Sequence, residues 1–368
     1  MFQTQDLTHK TCFTTEDIRQ LSSILNQLKN KKIFITGGTG YMGKCLLDLL
    51  IQGNHELQLN LSITVLTRDI KKFQSSFPLG RNSSILNFLK SDIREAFDQE
   101  TKGYDFIIHA ATPAATNEVI ELSKNKPEEL LETITNGSHQ VLNICKKNKD
   151  ARCLYISSGA VYRGINDHRT FQEQDWSFSN NIPLNTDPYM LGKRTAESLF
   201  FEAFHNQAFK NFSIARCFTF IGPYLPLGIR LAGSTFFTNI SRKEPLIIHG
   251  DGSDIRSFMH SYDLAIWLIK VLLEGRNGEA YNVGSDEAIS IKDFAEKISC
   301  IVNDRFPNLS KKVEYSSRYP VIIKNEVTSL TANKVYLPNT SKARKELSLD
   351  LKFTLDEAIS NTLRYYDL

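Results

Sequence analysis

Tyr189 and Lys193 stand four residues apart in Tyr-Met-Leu-Gly-Lys, inside a run that reads as a helix. Residues at i and i+4 share one helix face. An ammonium beside a phenol stabilises the phenolate and lowers a pKa that is ordinarily about 10. Tyr189 is then usable as a general base near neutral pH, and Lys193 can also hold a ribose hydroxyl. Ser158 closes an apolar strand, at the end where parallel sheets present their ligands, and its hydroxyl can meet a reacting hydroxyl. A Tyr-x-x-x-Lys pair by itself also fits an ordinary amphipathic helix, so its weight comes from the motifs around it.

The strongest of these is a glycine turn. Gly37, Gly40 and Gly43 are spaced G-x-x-G-x-x-G between the apolar run 32–36 and a helical run that begins near Lys44. Such a chain can turn tightly, bring its backbone close to a diphosphate and pack helix on strand, with the helix N-terminus offering free N–H groups. Thr39, Tyr41 and Met42 complete the predicted cradle, and the competing reading is a turn that binds nothing. The cofactor is expected to be NADP or NAD. An acid closing the second strand would grip the ribose of NAD, but Thr67-Arg68 stands there. Thr67 carries no charge to repel a phosphate and Arg68 can pair with one, which leans towards NADP. Alternatively Arg68 stacks on adenine while Asp69 or water meets the ribose. Asp92 and Ile93, after the third strand, can contact adenine, or Asp92 is an exposed turn acid.

The elements that must hold these groups follow from pattern. Apolar runs at 32–36, 62–67, 106–109, 153–156 and 212–216 alternate with helical stretches, including 128–148 and 190–207. Unbroken apolar strands alternating with helices predict an α/β fold, a doubly wound parallel (Rossmann) sheet with a smaller C-terminal substrate-binding lobe. The expected division is a helical extension at 1–30, a dinucleotide-binding domain at 31–221 completed by 257–284, and a lobe from 222–256 and 285–368. In the extension, Thr14 or Thr15 can cap a helix whose Ile18, Leu21, Ile24, Leu25 and Leu28 form an apolar stripe.

Together these motifs resemble the extended short-chain dehydrogenase/reductase family, in the NAD-dependent epimerase/dehydratase branch that acts on nucleotide sugars. The resemblance runs from about residue 31 to the C-terminus. It is carried by 36–43, His109-Ala110-Ala111, Ser157 to Tyr162, Tyr189 to Lys193, Arg216 to Pro223, Arg256 to Leu264, Asn282-Val283-Gly284 and Asn339 to Ala343. It implies that Ser158, Tyr189 and Lys193 are catalytic and that Ala110, Ala111, Tyr189 and Lys193 line the cofactor. Thr219 and Arg256 would touch substrate, Arg256 by gripping its diphosphate; otherwise Arg256 pairs with Asp254 or Asp263. Pro223-Tyr224 and 225–235 would line the sugar-nucleotide pocket. A homodimer through the helices at 128–148 and 190–207 is implied, with Leu199, Phe200, Ala203 and Phe204 serving that interface or the core.

Departures from the family pattern shape the expected reaction. Dehydratases of the family carry Asp-Glu after the catalytic Ser or Thr, where this chain has Gly159-Ala160. A 4,6-dehydratase, or a decarboxylase needing the same Glu, is therefore not expected. A 4-epimerase or a 4-ketoreductase remains, since both need only hydride transfer and one proton. Thr219 in place of Asn, Arg163 in place of Gly and Ser257 in place of Asp point to an unusual substrate or an altered pocket. A non-catalytic dinucleotide sensor and a reductase of small carbonyls are the rival readings. Retention of Tyr189 and Lys193 argues against the first, and Arg256 against the second.

Bulk properties narrow the field. The chain has 368 residues, 41% apolar and 23% charged, which is ordinary globular composition. A net charge of +3 gives no nucleic-acid footprint. No apolar run reaches the roughly 18 residues of a membrane span, and the first residues lack a secretion signal. Cysteines at 12, 45, 145, 153, 217 and 300 are not at metal-ligand spacing. They read as reduced thiols of a cytoplasmic protein with no metal site.

Overall fold

The computed structural model describes residues 10–81, 83–95, 101–112, 125–162, 170–175, 187–229, 231–305, 319–324 and 335–368. Arg163, one of the noted departures, lies outside them. Seven strands form one sheet: β1 (Lys32–Thr36), β2 (Ser62–Thr67), β3 (Leu86–Lys90), β4 (Phe106–His109), β5 (Arg152–Ser158), β6 (Asn211–Cys217) and β7 (Glu279–Val283). Their order is β3-β2-β1-β4-β5-β6-β7, and every neighbouring pair is parallel. The order reverses between β1 and β4, which is where open α/β sheets leave a crevice at the carboxyl ends of their strands.

Alternation along each strand sends side chains to two cores. Ile33, Ile35, Ile63, Val65, Ile108 and Ile156 enter one, whereas Phe34, Leu66, Ile107, Cys153 and Tyr155 enter the other. A sheet apolar on both faces must be covered on both, hence the helix layers. The first core takes α1 (Thr15–Gln20), α2 (Tyr41–Leu57) and, later in the chain, Ser261–Glu274. The second takes α3 (Pro127–Lys147) and α4 (Pro188–His205), which pack on each other. Phe200 is fully buried there, with Leu199, Ala203 and Phe204 at its edge. All four therefore contribute to the core of the single chain.

The N-terminal segment is part of the body. Thr14 caps α1 in a capping box with Asp17, and Ile18, Leu25 and Leu28 are fully buried. Ahead of it, Thr11 Oγ1 and the Cys12 amide donate to the buried carboxylate of Asp48 on α2, at 2.6 and 2.7 Å. The Tyr224 phenol donates to the same group at 3.0 Å. Burial pushes the Asp48 pKa up to about 6 despite these donors.

A third core gathers Phe236, Phe237, Phe258, Phe294, Ile298, Ile359 and Leu363. Short strand pairs border it, Leu246–Ile248 with Val321–Ile323 and Ile255–Arg256 with Ile289–Ser290. The six cysteines are all free thiols, and no described helix is long and apolar enough to cross a membrane.

One buried ion pair ties the sheet to its helix layer. Arg216 on β6 meets Glu197 on α4 at 2.8 Å, with neither side chain more than 2% exposed. Arg216 also donates to the Tyr162 phenol at 2.9 Å, and that phenol donates to Asn282 on β7 at 2.8 Å. Several residues that carry the family resemblance are thus structural. Glu197→Leu should cost about 3–5 kcal/mol, because it removes a carboxylate that compensates a buried guanidinium. Adding Arg216→Met should recover most of that loss, and chemical denaturation of the two variants measures both.

Candidate active site

The glycine turn sits at the carboxyl end of β1. Gly37 has φ +72°, in the region that disfavours side chains, and a Cβ there would lie 2.4 Å from the Ala110 carbonyl carbon. Gly43 has no space either: a Cβ would lie 2.3 Å from the Gly37 oxygen and 2.5 Å from Gly38 Cα. Gly40 is the N-cap of α2, no side chain caps this helix, and its first turn carries no acid. Its leading amides are therefore left to an anion. Thr39 and Met42 lie beside this opening, while the Tyr41 phenol turns inward to Ser261, 3.2 Å away. A tight backbone cradle ahead of an uncapped helix fits a dinucleotide pyrophosphate.

The second strand ends as the sequence suggests, with Thr67 buried and Arg68 projecting, its side chain 79% exposed. Asp69 is already engaged, its carboxylate capping the next helix at the Lys72 amide, 2.9 Å. Asp92 is gripped by both ends of the Arg94 guanidinium and lies 3.9 Å from Arg68. Arg94 holds the Asp92 carboxyl below its ordinary pKa. Ile93 instead turns towards α3, where a Cβ on Gly137 would stand 3.0 Å from it.

The catalytic candidates converge on the ends of β4 and β5. Asp187 caps α4 at the Tyr189 amide, 2.9 Å, and sets the phase of the helix. Lys193 is 2% exposed, with Nζ donating to Thr112 Oγ1 at 2.7 Å and to the Ile156 carbonyl at 2.9 Å. That Nζ lies 5.9 Å from the Tyr189 ring centre and 5.0 Å from that of Tyr155. Burial lowers the Lys193 pKa to about 8. Ser158 closes β5, and its Oγ accepts the Ala160 amide at 3.1 Å. Thr112, which local pattern does not mark, follows Ala110-Ala111 and so joins the lysine to the segment packed on Gly37.

Tyr336 was likewise not foreseen. Its phenol oxygen would lie 2.6 Å from a Cβ at position 159, and Phe218 closes the same space at 2.8 Å. Arg256 lies 5.8 Å from the Tyr336 ring centre, which brings it to the Ser158 side of the sheet. Arg256 also meets Asp254 at 3.1 Å. Asp263 is not its partner, because that carboxylate accepts the Lys352 and Phe353 amides. Thr219 takes the Met259 amide on its carbonyl at 3.0 Å. Tyr224 departs from expectation. Its side chain packs on Phe77 and Tyr365 and bonds Asp48, so it joins α2 to the end of the helix Leu355–Tyr365 and is spent there.

The chain is similar to known proteins. The model of the NAD dependent epimerase/dehydratase family matches residues 33–284. UDP-glucuronic acid decarboxylase 1 of Arabidopsis thaliana is 27% identical over 339 residues, 90% of this chain and 68% of that protein. The chain spans 57% and 58% of two further decarboxylases of that plant. A Sinorhizobium fredii protein described as "Probable dTDP-glucose 4,6-dehydratase" is 26% identical over 91% of this chain and 92% of its own. Among solved structures, an epimerase of Methanothermobacter thermautotrophicus superposes with a TM-score of 0.74 at 22% identity, over 95% of both chains.

These relatives correct one expectation. The lack of Asp-Glu after Ser158 does not set dehydration or decarboxylation aside, since relatives with those names match nine-tenths of the chain. The physical reason is that a proton donor need not be adjacent in sequence. The space next to Gly159 is filled from afar, by the hydroxyl of Tyr336 and the ring of Phe218. With its glycine cradle, switch-point crevice and matched model, the chain belongs to the NAD-dependent epimerase/dehydratase family of nucleotide-sugar enzymes.

Proposed function

We propose that this protein oxidises or reduces a carbinol carbon of a nucleoside-diphosphate sugar, as a 4-epimerase or a 4-ketoreductase, with Tyr189 as general base and acid. The observation that carries the reading is Lys193, anchored at the ends of β4 and β5 beneath the Tyr189 ring and linked through Thr112 to the glycine cradle. When bound, the nicotinamide ring supplies the hydride acceptor or donor. Tyr189 takes the proton of the sugar hydroxyl, Lys193 stabilises the resulting phenolate, and Ser158 holds the reacting oxygen by a hydrogen bond. Arg256 grips the diphosphate. Its partly exposed pair with Asp254 is worth no more than about 1 kcal/mol and yields to a phosphate. Thr219 lines the same subsite. Arg68, with no carboxylate closing β2, favours NADP over NAD. The helices α3 and α4 serve as the face of a homodimer in the cytoplasm.

The test is a panel of UDP-, dTDP-, GDP- and CDP-sugars and their 4-keto forms, run with NADH and with NADPH. Inverted product without net cofactor use establishes an epimerase, and stoichiometric NADPH loss establishes a reductase. A 4,6-dehydrated or decarboxylated product would overturn both and place the reaction with the named relatives.

The Lys193 pKa fixes a pH signature. Above about pH 8 the ammonium loses its proton and the phenolate loses its support, so kcat/KM should fall there. The Lys193 contribution to stability moves the other way. Between about 8 and the ordinary 10.5 the unfolded chain holds the extra proton, so this contribution rises with pH across that window, whereas buried thiols such as Cys217, pushed up to about 12, lower overall stability above their ordinary 9.0. Rate profiles, and the difference in urea midpoint between the protein and Lys193→Met, measured over pH 7–11 would check the two opposed slopes.

A further inference from the structure

We propose that His109 is a positioning residue. Locked in one neutral tautomer, it fixes residues 110–112 so that one short segment builds the cofactor cradle and anchors Lys193. The inference rests on reading the cleft as a dinucleotide site, and it concerns a side chain that touches neither ligand nor substrate.

The tautomer follows from counting protons along a buried chain. Ser138 on α3 gives its only hydroxyl proton to the Ile134 carbonyl, 2.8 Å away. Towards His109 Nε2, at 3.4 Å, Ser138 Oγ can therefore only accept, which puts the imidazole proton on Nε2. Nδ1 is then bare and accepts from Thr36 Oγ1 at 2.8 Å. Thr36 Oγ1, its own proton spent, accepts the Ala111 amide at 3.3 Å, while the Thr36 carbonyl takes the Ala110 amide at 3.0 Å. Each hydrogen bond sets the direction of the next, from α3 through β4 to β1. Thr36 is the last residue before Gly37, and Ala110 is the backbone on which Gly37 closes. Thr112, three residues beyond the imidazole, accepts from Lys193 Nζ.

Neutrality is part of the device. His109 is 1% exposed and packs against the stacked rings of Tyr155 and Phe200, at 5.3 and 6.0 Å. Burial and the nearby Lys193 cation lower its pKa to about 3. A second proton would fall on Nδ1, oppose the Thr36 donor and set a cation beside Lys193.

Four variants separate positioning from bulk stability: His109→Asn, whose amide oxygen can replace Nδ1, His109→Gln, His109→Leu and Thr36→Val. Dissociation constants for NADH and NADPH come from fluorescence titration, alongside melting temperatures. Leu, Gln and Val should weaken binding about tenfold or more by leaving buried groups unpaired. Asn should stay within about threefold of wild type whatever its melting temperature, and binding should show no histidine titration between pH 5 and 8. Thr36→Val keeps the side-chain volume and carries the test if His109→Leu does not fold. Wild-type affinity in His109→Leu or Thr36→Val, or equal loss in Asn and Leu, overturns the proposal. Failure of the unaltered protein to bind either dinucleotide would instead remove the cofactor reading, and this inference with it.

Discussion

Tyr189→Phe should cut turnover by about a thousandfold while leaving the dissociation constant for dinucleotide within a factor of two. The magnitude is that of general acid–base catalysis, typically about 10²–10⁴-fold. The selectivity comes from geometry. The cradle is built by Gly37, Gly40 and Gly43 with Ala110 and Ala111, and the Tyr189 phenol is no part of it. Lys193→Met should reduce turnover comparably and also shift binding, because Lys193 is bonded to Thr112 in the segment that continues from the cradle. Stopped-flow measurement of hydride transfer beside fluorescence titration resolves the two. A Tyr189→Phe enzyme with a tenth or more of wild-type activity would show that another group moves the proton.

Gly43→Ala should be severely damaging for a single added methyl group. The added carbon meets backbone, the Gly37 oxygen and Gly38 Cα, and neither can rotate away. Helix α2 must shift off β1, which costs about 1–3 kcal/mol of overpacking and breaks the alignment of its N-terminus with the cradle. Dinucleotide affinity should fall about a hundredfold or more. Gly53→Ala, in the same helix, is the control. There the added carbon meets side-chain atoms of Leu25 and Leu59, at 3.2 and 3.7 Å. Mid-helix alanine is favoured over glycine by about 1 kcal/mol, so this variant should bind normally and lose no stability. Equal loss of binding in both would mean that helix rigidity matters and the close approach does not.

Much of this was legible in the chain because the signals were local. Runs such as Ile33-Phe34-Ile35 are apolar at every position, as a strand covered on both faces requires. The glycine turn has a spacing that steric contact imposes, and the i, i+4 pair needs nothing beyond helix periodicity. Residues brought in by tertiary approach left no such trace. Tyr336 reaches Gly159 from the far end of the chain, and Thr112 matters only because Lys193 is buried against it. Tyr224 was placed in the substrate pocket by its neighbourhood in sequence, whereas its side chain was recruited by Asp48. The exclusion of dehydration failed for the same reason, since it took the residues next to Ser158 as the sole source of protons.

The placement of β7 bears on how the protein is made. The strand that completes the sheet follows the third core's first helix and the Ser261–Glu274 helix in the chain, yet lies beside β6 in space. A nascent polypeptide that has left the ribosome only through β6 would carry an unpaired strand edge, and the Tyr162 hydroxyl would lack Asn282. The cofactor half thus cannot mature ahead of the rest during translation. Chaperone capture at this stage, or a synonymous-codon pause shortly after Cys217, would act on an intermediate whose β6 edge is open.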